Sequence, residues 1–374
     1  MKIKPADRSC ALAGAMTVTM EIQDCITILH GPSGCCHRFP LGRVADPLRV
    51  MATGMTEAEV VFGGEGLLAK AIRKAEERRP NMIAVISSCI AGVIGDDVVA
   101  LCRELKTDSL LLAIPADGFL TGGFYAGIEG AMTALLRDFL PKSPGPIRPN
   151  IVNILGEKNL AVDEEDSFRE IARLLGHLGL KVGTRFVRQT NAKDLQEVGR
   201  ACLNIVRDPA IGSLPAKLLQ DAYGTPYLDG GYPSGRRETA AWLREIARLA
   251  GSSAEEGIHA EQARYEYLIG ELRKDLAGIR AAIGSPWAKM PWLLELLDDL
   301  RMEQMVLPEG GFAGLAFDLI LALGPQGDHP PGCTVAPLPI VPPAGYTGPL
   351  ALAAAWRRKL RVPAMEGWRY DARR

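Results

Sequence analysis

Four of the chain's eight cysteines, Cys10, Cys25, Cys35 and Cys36, fall within its first 36 residues; the others are Cys89, Cys102, Cys202 and Cys333. Such a bias asks for a chemical reason. Cys10 precedes the small-residue run Ala11 to Ala15. Cys35 closes the turn His30-Gly31-Pro32-Ser33-Gly34. Cys89 ends an apolar strand and is followed by IAGVIGDD. Thiolates are soft ligands suited to iron–sulfur clusters, and the metal itself keeps them deprotonated. In open α/β sheets, ligand sites gather at the carboxyl ends of strands, where Cys89 stands. The glycines beside Cys35 let the backbone turn sharply and approach a bulky inorganic group.

Three thiolates from one chain leave a cluster incompletely bound, so a second chain or a non-cysteine ligand must supply the rest. The separations, twenty-five and then fifty-four residues, match no compact zinc or ferredoxin motif. The competing reading is that free cysteine is often only a small buried hydrophobe, and spacing alone leaves both open. Cys25, Cys102, Cys202 and Cys333 fit the second reading. Cys36 can exchange roles with Cys35.

Strands and helices alternate almost throughout, the pattern of parallel α/β sheets. An amphipathic helix is expected from Glu65 to Arg79, then a buried strand from Asn81 to Ser88. Ser109 to Ala116 is the next strand and Gly123 to Leu140 the next helix. The stretch Lys142-Ser143-Pro144-Gly145-Pro146 reads as a linker. A second unit follows, with strands at Ile151–Gly156, Leu180–Phe186 and Cys202–Arg207, and extended residues at Pro226–Leu228. Its helices are expected at Asp163–Leu178, Ala192–Ala201, Leu214–Ala222 and Arg236–Ala250. A long helix, Ala254–Ala277, leads to a last unit with strands at Ile279–Ile283 and Phe317–Leu323. The helices there are Ala288–Leu300 and Gly348–Leu360. The expected domains are therefore 1–145, 146–253 and 254–374, the third looking small for a doubly wound unit.

Hydrophobic residues make up 47% and charged residues 23%, and the net charge is -1. This balance gives no electrostatic case for nucleic acid or an acidic membrane surface. No uninterrupted apolar run reaches eighteen residues, so no spanning helix is expected. Met1 to Asp7 has no apolar stretch of the signal-peptide kind, so a cytoplasmic protein is expected. There is no phosphate-binding Gly-x-x-x-x-Gly-Lys-Ser/Thr loop, and Gly64-Glu65-Gly66 fails the dinucleotide fingerprint. Asp96-Asp97 reads as a helix start favoured by the helix dipole, and Asp163 to Asp166 as another on a solvated face. His30 and His37 flank the Cys35 turn, in a structural role or as hydrogen-bonding partners that tune a cluster. Trp287 and Trp292 are expected to pack a core or a partner surface.

Together these segments resemble the nitrogenase component 1 family. The ordered set is CALAGA from Cys10, HGPSGCCH from His30, TGMTEAEVVFGGE from Thr53 and ISSCIAGVIGDD from Ile86. The doubled cysteine and the VVFGGE stretch look most like the β subunit of the molybdenum–iron protein. The resemblance covers about the first 130 residues well and continues more weakly through Cys202-Leu-Asn-Ile-Val and Tyr223-Gly-Thr-Pro to Gly345-Tyr-Thr-Gly. It implies three doubly wound α/β domains, the third shortened. It also implies that Cys10, Cys35 and Cys89 bind a P-cluster (8Fe–7S) or a simpler 4Fe–4S cluster, shared with a homologous α-like catalytic subunit in an α2β2 assembly. An ATP-dependent iron–sulfur reductase homodimer would dock nearby.

The departures matter as much. Where the family's catalytic subunit places a cofactor-anchoring cysteine after the Leu203-Asn204 strand, this chain has the neighbourhood of Asp208. His329 lies in a Gly/Pro loop and is a poor match for that subunit's second anchor. The serine that can bind an oxidised P-cluster has no counterpart in Pro115-Ala116-Asp117-Gly118. The leading expectation is thus an electron-relay β-like subunit of a nitrogenase-like reductase, methylthio-alkane reductase being the specific form favoured. Tetrapyrrole reductase subunits stand behind it. The alternative is a metallocluster assembly scaffold, and a third reading is a metal-free α/β protein.

Overall fold

In the computed structural model, the structure describes residues 10–37, 49–119, 122–161, 163–284, 287–306, 317–322 and 333–361. The chain divides into two compact units, one of residues 1–164 and 180–231, the other of residues 165–179 and 232–374.

The first unit opens with α1 (Ala11–Thr19), β1 (Cys25–His30), α2 (Gly34–His37), β2 (Val50–Ala52), α3 (Glu57–Phe62) and α4 (Glu65–Glu76). Next come β3 (Met82–Ser87), α5 (Cys89–Ile94), α6 (Val98–Glu104), β4 (Leu110–Pro115) and α7 (Phe124–Phe139). The four strands form one parallel sheet in the order β2-β1-β3-β4. Every residue of β1 and β3 is buried, as expected of central parallel strands covered on both faces. On one side α4 buries Leu68, Ile72 and Ala75, the one-sided stripe of an amphipathic helix. On the other side α1 is buried all round, so its sequence is small and apolar instead of striped.

A second parallel sheet, β6-β5-β7-β8, follows in the same unit. Its elements are β5 (Arg148–Leu155), β6 (Lys181–Phe186), α9 (Ala192–Gln196), β7 (Ala201–Val206), α10 (Pro209–Tyr223) and β8 (Tyr227–Leu228); α8 (Glu164–Gly176) lies between β5 and β6 in the chain. Helix α10 begins at Pro209, five residues ahead of the expected start. Asp208 caps it by accepting from the Ala210 N–H, and Pro209 takes the first helical position, where its missing N–H costs nothing.

The second unit holds most of α8, α11 (Arg236–Ala250), α12 (Glu255–Leu276), α13 (Pro291–Asp299) and α14 (Thr347–Arg361). Its sheet runs β10-β9-β11-β12, with β9 (Arg280–Ile283), β10 (Glu303–Val306), β11 (Leu319–Ala322) and β12 (Thr334–Pro337). Among the described residues this third sheet has four strands like the others. The sequence gives no expectation of β10 or β12 because each is short and mostly unburied, which leaves little periodic signal. Trp287 and Trp292 are buried in this unit. The Glu170 carboxylate accepts from the Tyr346 and Thr347 N–H groups, tying α8 to the start of α14.

All three sheets therefore repeat one strand order: the second strand at the edge, then the first, third and fourth. In each, successive connections leave in opposite directions from between the first and third strands. That reversal opens a crevice at the carboxyl ends, the usual ligand site of open α/β sheets. Among the described residues, no helix is long and apolar enough to cross a membrane.

Candidate functional site

The first crevice lies between the ends of β1 and β3. His30 pairs in register with Ser87, and the Ser88 N–H donates to the His30 carbonyl at 2.9 Å. The chain leaves β1 through Gly31 to α2, which carries Cys35, and leaves β3 directly into α5, whose first residue is Cys89. Ser88 caps α5 by accepting from the Ala91 N–H at 3.4 Å. Cys35 and Cys89 thus follow the two strands that flank the reversal, on the short helices α2 and α5.

Cys10 reaches the same end by another route. It precedes α1 and forms an isolated antiparallel bridge with Gly123, just ahead of α7. Helices α1 and α7 touch backbone to backbone. A Cβ on Gly14 would lie 1.9 Å from the Phe124 carbonyl oxygen, and one on Gly127 would lie 1.8 Å from that of Ala11. Only glycine permits this approach, and the approach seats Cys10 against the loop after β4. There Gly118 stands between two of the cysteines: a Cβ on it would be 3.5 Å from Cys89 Sγ and 3.9 Å from Cys10 Cβ. The Gly118 N–H donates to Cys89 Sγ at 3.2 Å, the kind of bond that tunes a cluster sulfur.

Cys10 is exposed, and Cys35 and Cys89 are part-buried. Cys25 and Cys102 are buried, whereas Cys202 and Cys333 are part-buried like Cys35 and Cys89. Burial pushes the Cys25 thiol up to about 12 and the Cys102 thiol up to about 11, and pushes Cys202 and Cys333 upward as well. Burial disfavours the thiolate at those four. Among the described residues, no group of three or more His, Cys, Asp or Glu side chains is gathered as a single metal ion requires. A mononuclear thiolate site needs metal–sulfur bonds of about 2.3 Å, which forces its sulfurs into near contact; a polynuclear cluster holds its thiolates farther apart. The structure brings Cys10 and Cys89 together around Gly118 and sets Cys35 on α2 against the apolar core; soft thiols with a backbone N–H aimed at one sulfur are the donor type that iron–sulfur clusters take. The side chains of Cys36 and His37, and all of His329, lie outside the described residues.

His30 has a clear task. It is fully buried, with Nε2 2.9 Å from Asp96 Oδ2 and Nδ1 3.3 Å from Thr53 Oγ1. The Asp96 carboxylate also accepts from the Gly64 N–H at 3.0 Å. This network clamps the turns after β1, β2, α3 and α5 around the crevice. Of the acidic pair, only Asp97 does what a helix start does, accepting from the Ala100 N–H. The role of Asp96 has no local sequence signal, since its partner lies 66 residues away.

The second crevice, between the ends of β5 and β7, has the same topology and different contents. Glu157 makes a two-point ion pair with Arg185, at 2.6 and 2.8 Å. Lys158 Nζ is 2.7 Å from Asp208 Oδ2, and Arg207 Nε is 2.8 Å from Glu164 Oε1. Asp163 and Asp166 are exposed, as expected of a solvated face, but Glu164 is buried, a correction at that one position: Arg207, reaching from the end of β7, compensates its charge. Burial pushes the Glu157 carboxyl above the usual range, with Arg185 opposing.

These features define a three-sheet α/β protein of a recognisable class. The fold matches a solved structure of nitrogenase Cp1 at pH 5, with a TM-score of 0.71 over 97% of this chain and 91% of that chain, at 21% identity. At that identity the likeness shows the fold alone. The family model for nitrogenase component 1 type oxidoreductases matches residues 10–307, and the chain belongs to that family.

Among its relatives, the nitrogenase iron-molybdenum cofactor biosynthesis protein NifE of Methanococcus maripaludis is 31% identical over 79% of this chain and 63% of its own length. The nitrogenase molybdenum-iron protein alpha chain of Methanosarcina barkeri is 26% identical over 79% of this chain and 59% of its own. The chain thus spans about three-fifths of the length of these two relatives. Neither is a β subunit, and the resemblance holds at the level of the family.

Proposed function

We propose that this chain is a cluster-holding subunit that works in metallocluster assembly, paired with a homologous chain of the same family. The observation that carries the reading is the contrast between the two crevices. Cys10, Cys35 and Cys89 supply thiols at the first. At the second, the place of the catalytic subunit's anchoring cysteine is taken by the ion-paired Asp208. A chain that keeps the interfacial ligands and lacks the cofactor anchor is not the subunit that turns over substrate on its own cofactor, which leaves assembly or relay. Similarity to cofactor biosynthesis proteins supports assembly.

The partner surface would surround Cys89. On α3 and α5, which touch each other, Val61, Phe62 and Val93 are exposed, Phe62 to 87%. Phe119, beside Gly118, is 79% exposed. Exposed apolar side chains clustered at a half-complete ligand set mark an association surface, and a homologous chain would add the missing thiolates while covering them.

The test is iron and sulfide analysis of the complex purified anaerobically. Cys10→Ala, Cys35→Ala and Cys89→Ala should each lose most of the iron, and Cys102→Ala should keep it. Equal iron in all four would overturn the assignment. The electron-relay reading uses the same three cysteines. ATP-dependent substrate reduction by the complex with an iron–sulfur reductase would establish that role instead.

A further inference from the structure

The second crevice opens on a cavity of about 180 Å³ between α1, α7, the turn after β5 and the start of α10. Val18, Phe124, Ile128, Met132, Leu160 and Ile211 supply half of the residues on its wall. Among the described residues that wall carries no cysteine and no histidine. It therefore lacks the donors that a metallocluster needs, although it adjoins the Lys158–Asp208 pair at the place of the family's cofactor anchor.

The two charged residues on the wall are already neutralised, Glu157 by Arg185 and Lys158 by Asp208. The Asn159 Nδ2 group is likewise occupied, donating to the Thr17 and Val187 carbonyls at 2.7 and 2.9 Å. A charged guest would lose its hydration without gaining a partner. An apolar guest would gain contact with the hydrocarbon. An enclosed cavity of about 150 Å³ lined by Leu, Ile and Phe takes up benzene or xenon; this one is of similar size, opens to solvent at one side, and has its polar residues gathered at Thr17 and Glu157 to Asn159.

From this we infer that the cavity is a binding site for a small, uncharged, apolar molecule of about benzene size. The assignment goes beyond the assembly role and does not depend on iron.

The test is ligand-observed NMR and thermal unfolding of the full-length protein, with benzene and benzoate as probes. Benzene should bind saturably and raise the unfolding midpoint with concentration, because a ligand held by the folded state stabilises it by mass action. Benzoate should do neither. Ile128→Trp fills the cavity and should weaken benzene at least tenfold, with circular dichroism confirming the fold. Leu160→Trp at the more exposed mouth gives a second variant less able to disturb the core, and should weaken benzene by a similar factor. Unsaturable benzene binding, wild-type affinity in a folded Ile128→Trp or Leu160→Trp protein, or tighter binding of benzoate than benzene would each overturn the assignment. Iron content measured on the same samples separates this result from the cluster assignment.

Discussion

The first and second sheets are the same machine loaded differently. Both are four-stranded and parallel, and both follow one strand order. Both put a turn after their first strand opposite a turn after their third. At the first sheet those turns lead to the part-buried thiols of Cys35 and Cys89, the latter beside a backbone N–H. At the second they deliver carboxylates and cations that satisfy one another and close around a hydrocarbon-lined cavity. Topology makes the crevice; the side chains at its rim decide what chemistry it offers.

The contrast can be tested by perturbing each crevice separately. The largest expected effect is at the second. Arg207→Met strands the buried Glu164 carboxylate and should cost about 4 kcal/mol of folding stability, the usual penalty for breaking a buried ion pair from one side. The double variant Arg207→Met/Glu164→Met should recover most of that loss in urea unfolding. A double variant as unstable as the single one would show that the pair does more than balance charge. At the first crevice, Gly127→Ala forces α7 from the Ala11 carbonyl. It should cost about 3 kcal/mol, in the range of overpacked cores, and should lower iron content too, because the same contact seats Cys10. Unchanged iron in a folded Gly127→Ala protein would sever that link.

A smaller effect is expected from exchanging the chemistry of the two sites. Asp208→Cys restores a thiol at the second crevice but removes the cap of α10, at a cost of about 1 kcal/mol. It should bind no additional iron, since the adjoining wall offers no second soft donor; a gain of iron would break the comparison outright. The smallest effect concerns pH. Cys25 and Cys102 ionise near 9.0 in the unfolded chain and at about 12 and about 11 in the fold. As pH rises past 9, the unfolded chain gives up these protons first, so stability falls. Cys25→Ala combined with Cys102→Ala should flatten the decline in urea midpoint between pH 8 and 10. In the iron-free protein at pH 8, iodoacetamide should label Cys10 well before Cys25 or Cys102, as read by mass spectrometry.

Much of this was legible in the sequence because the signals are local. The runs Met82–Ser87 and Leu110–Pro115 are continuous apolar strands ending at chemistry-bearing turns. The amphipathic stripe of α4 is set by its own residues, whereas the small-residue run after Cys10 carries no stripe to mark the helix that it forms; the sorting of the cysteines into ligand and core candidates comes from the resemblance to the family. What the sequence could not supply were pairings made over long separations. His30 finds Asp96, Glu164 finds Arg207, and Gly14 meets the backbone ahead of Gly127 only after the sheets have formed. Periodicity and composition report which face of an element is buried. They do not report which distant charge or glycine it is buried against, because that partner is chosen by strand order and helix crossing, and both exist only in three dimensions.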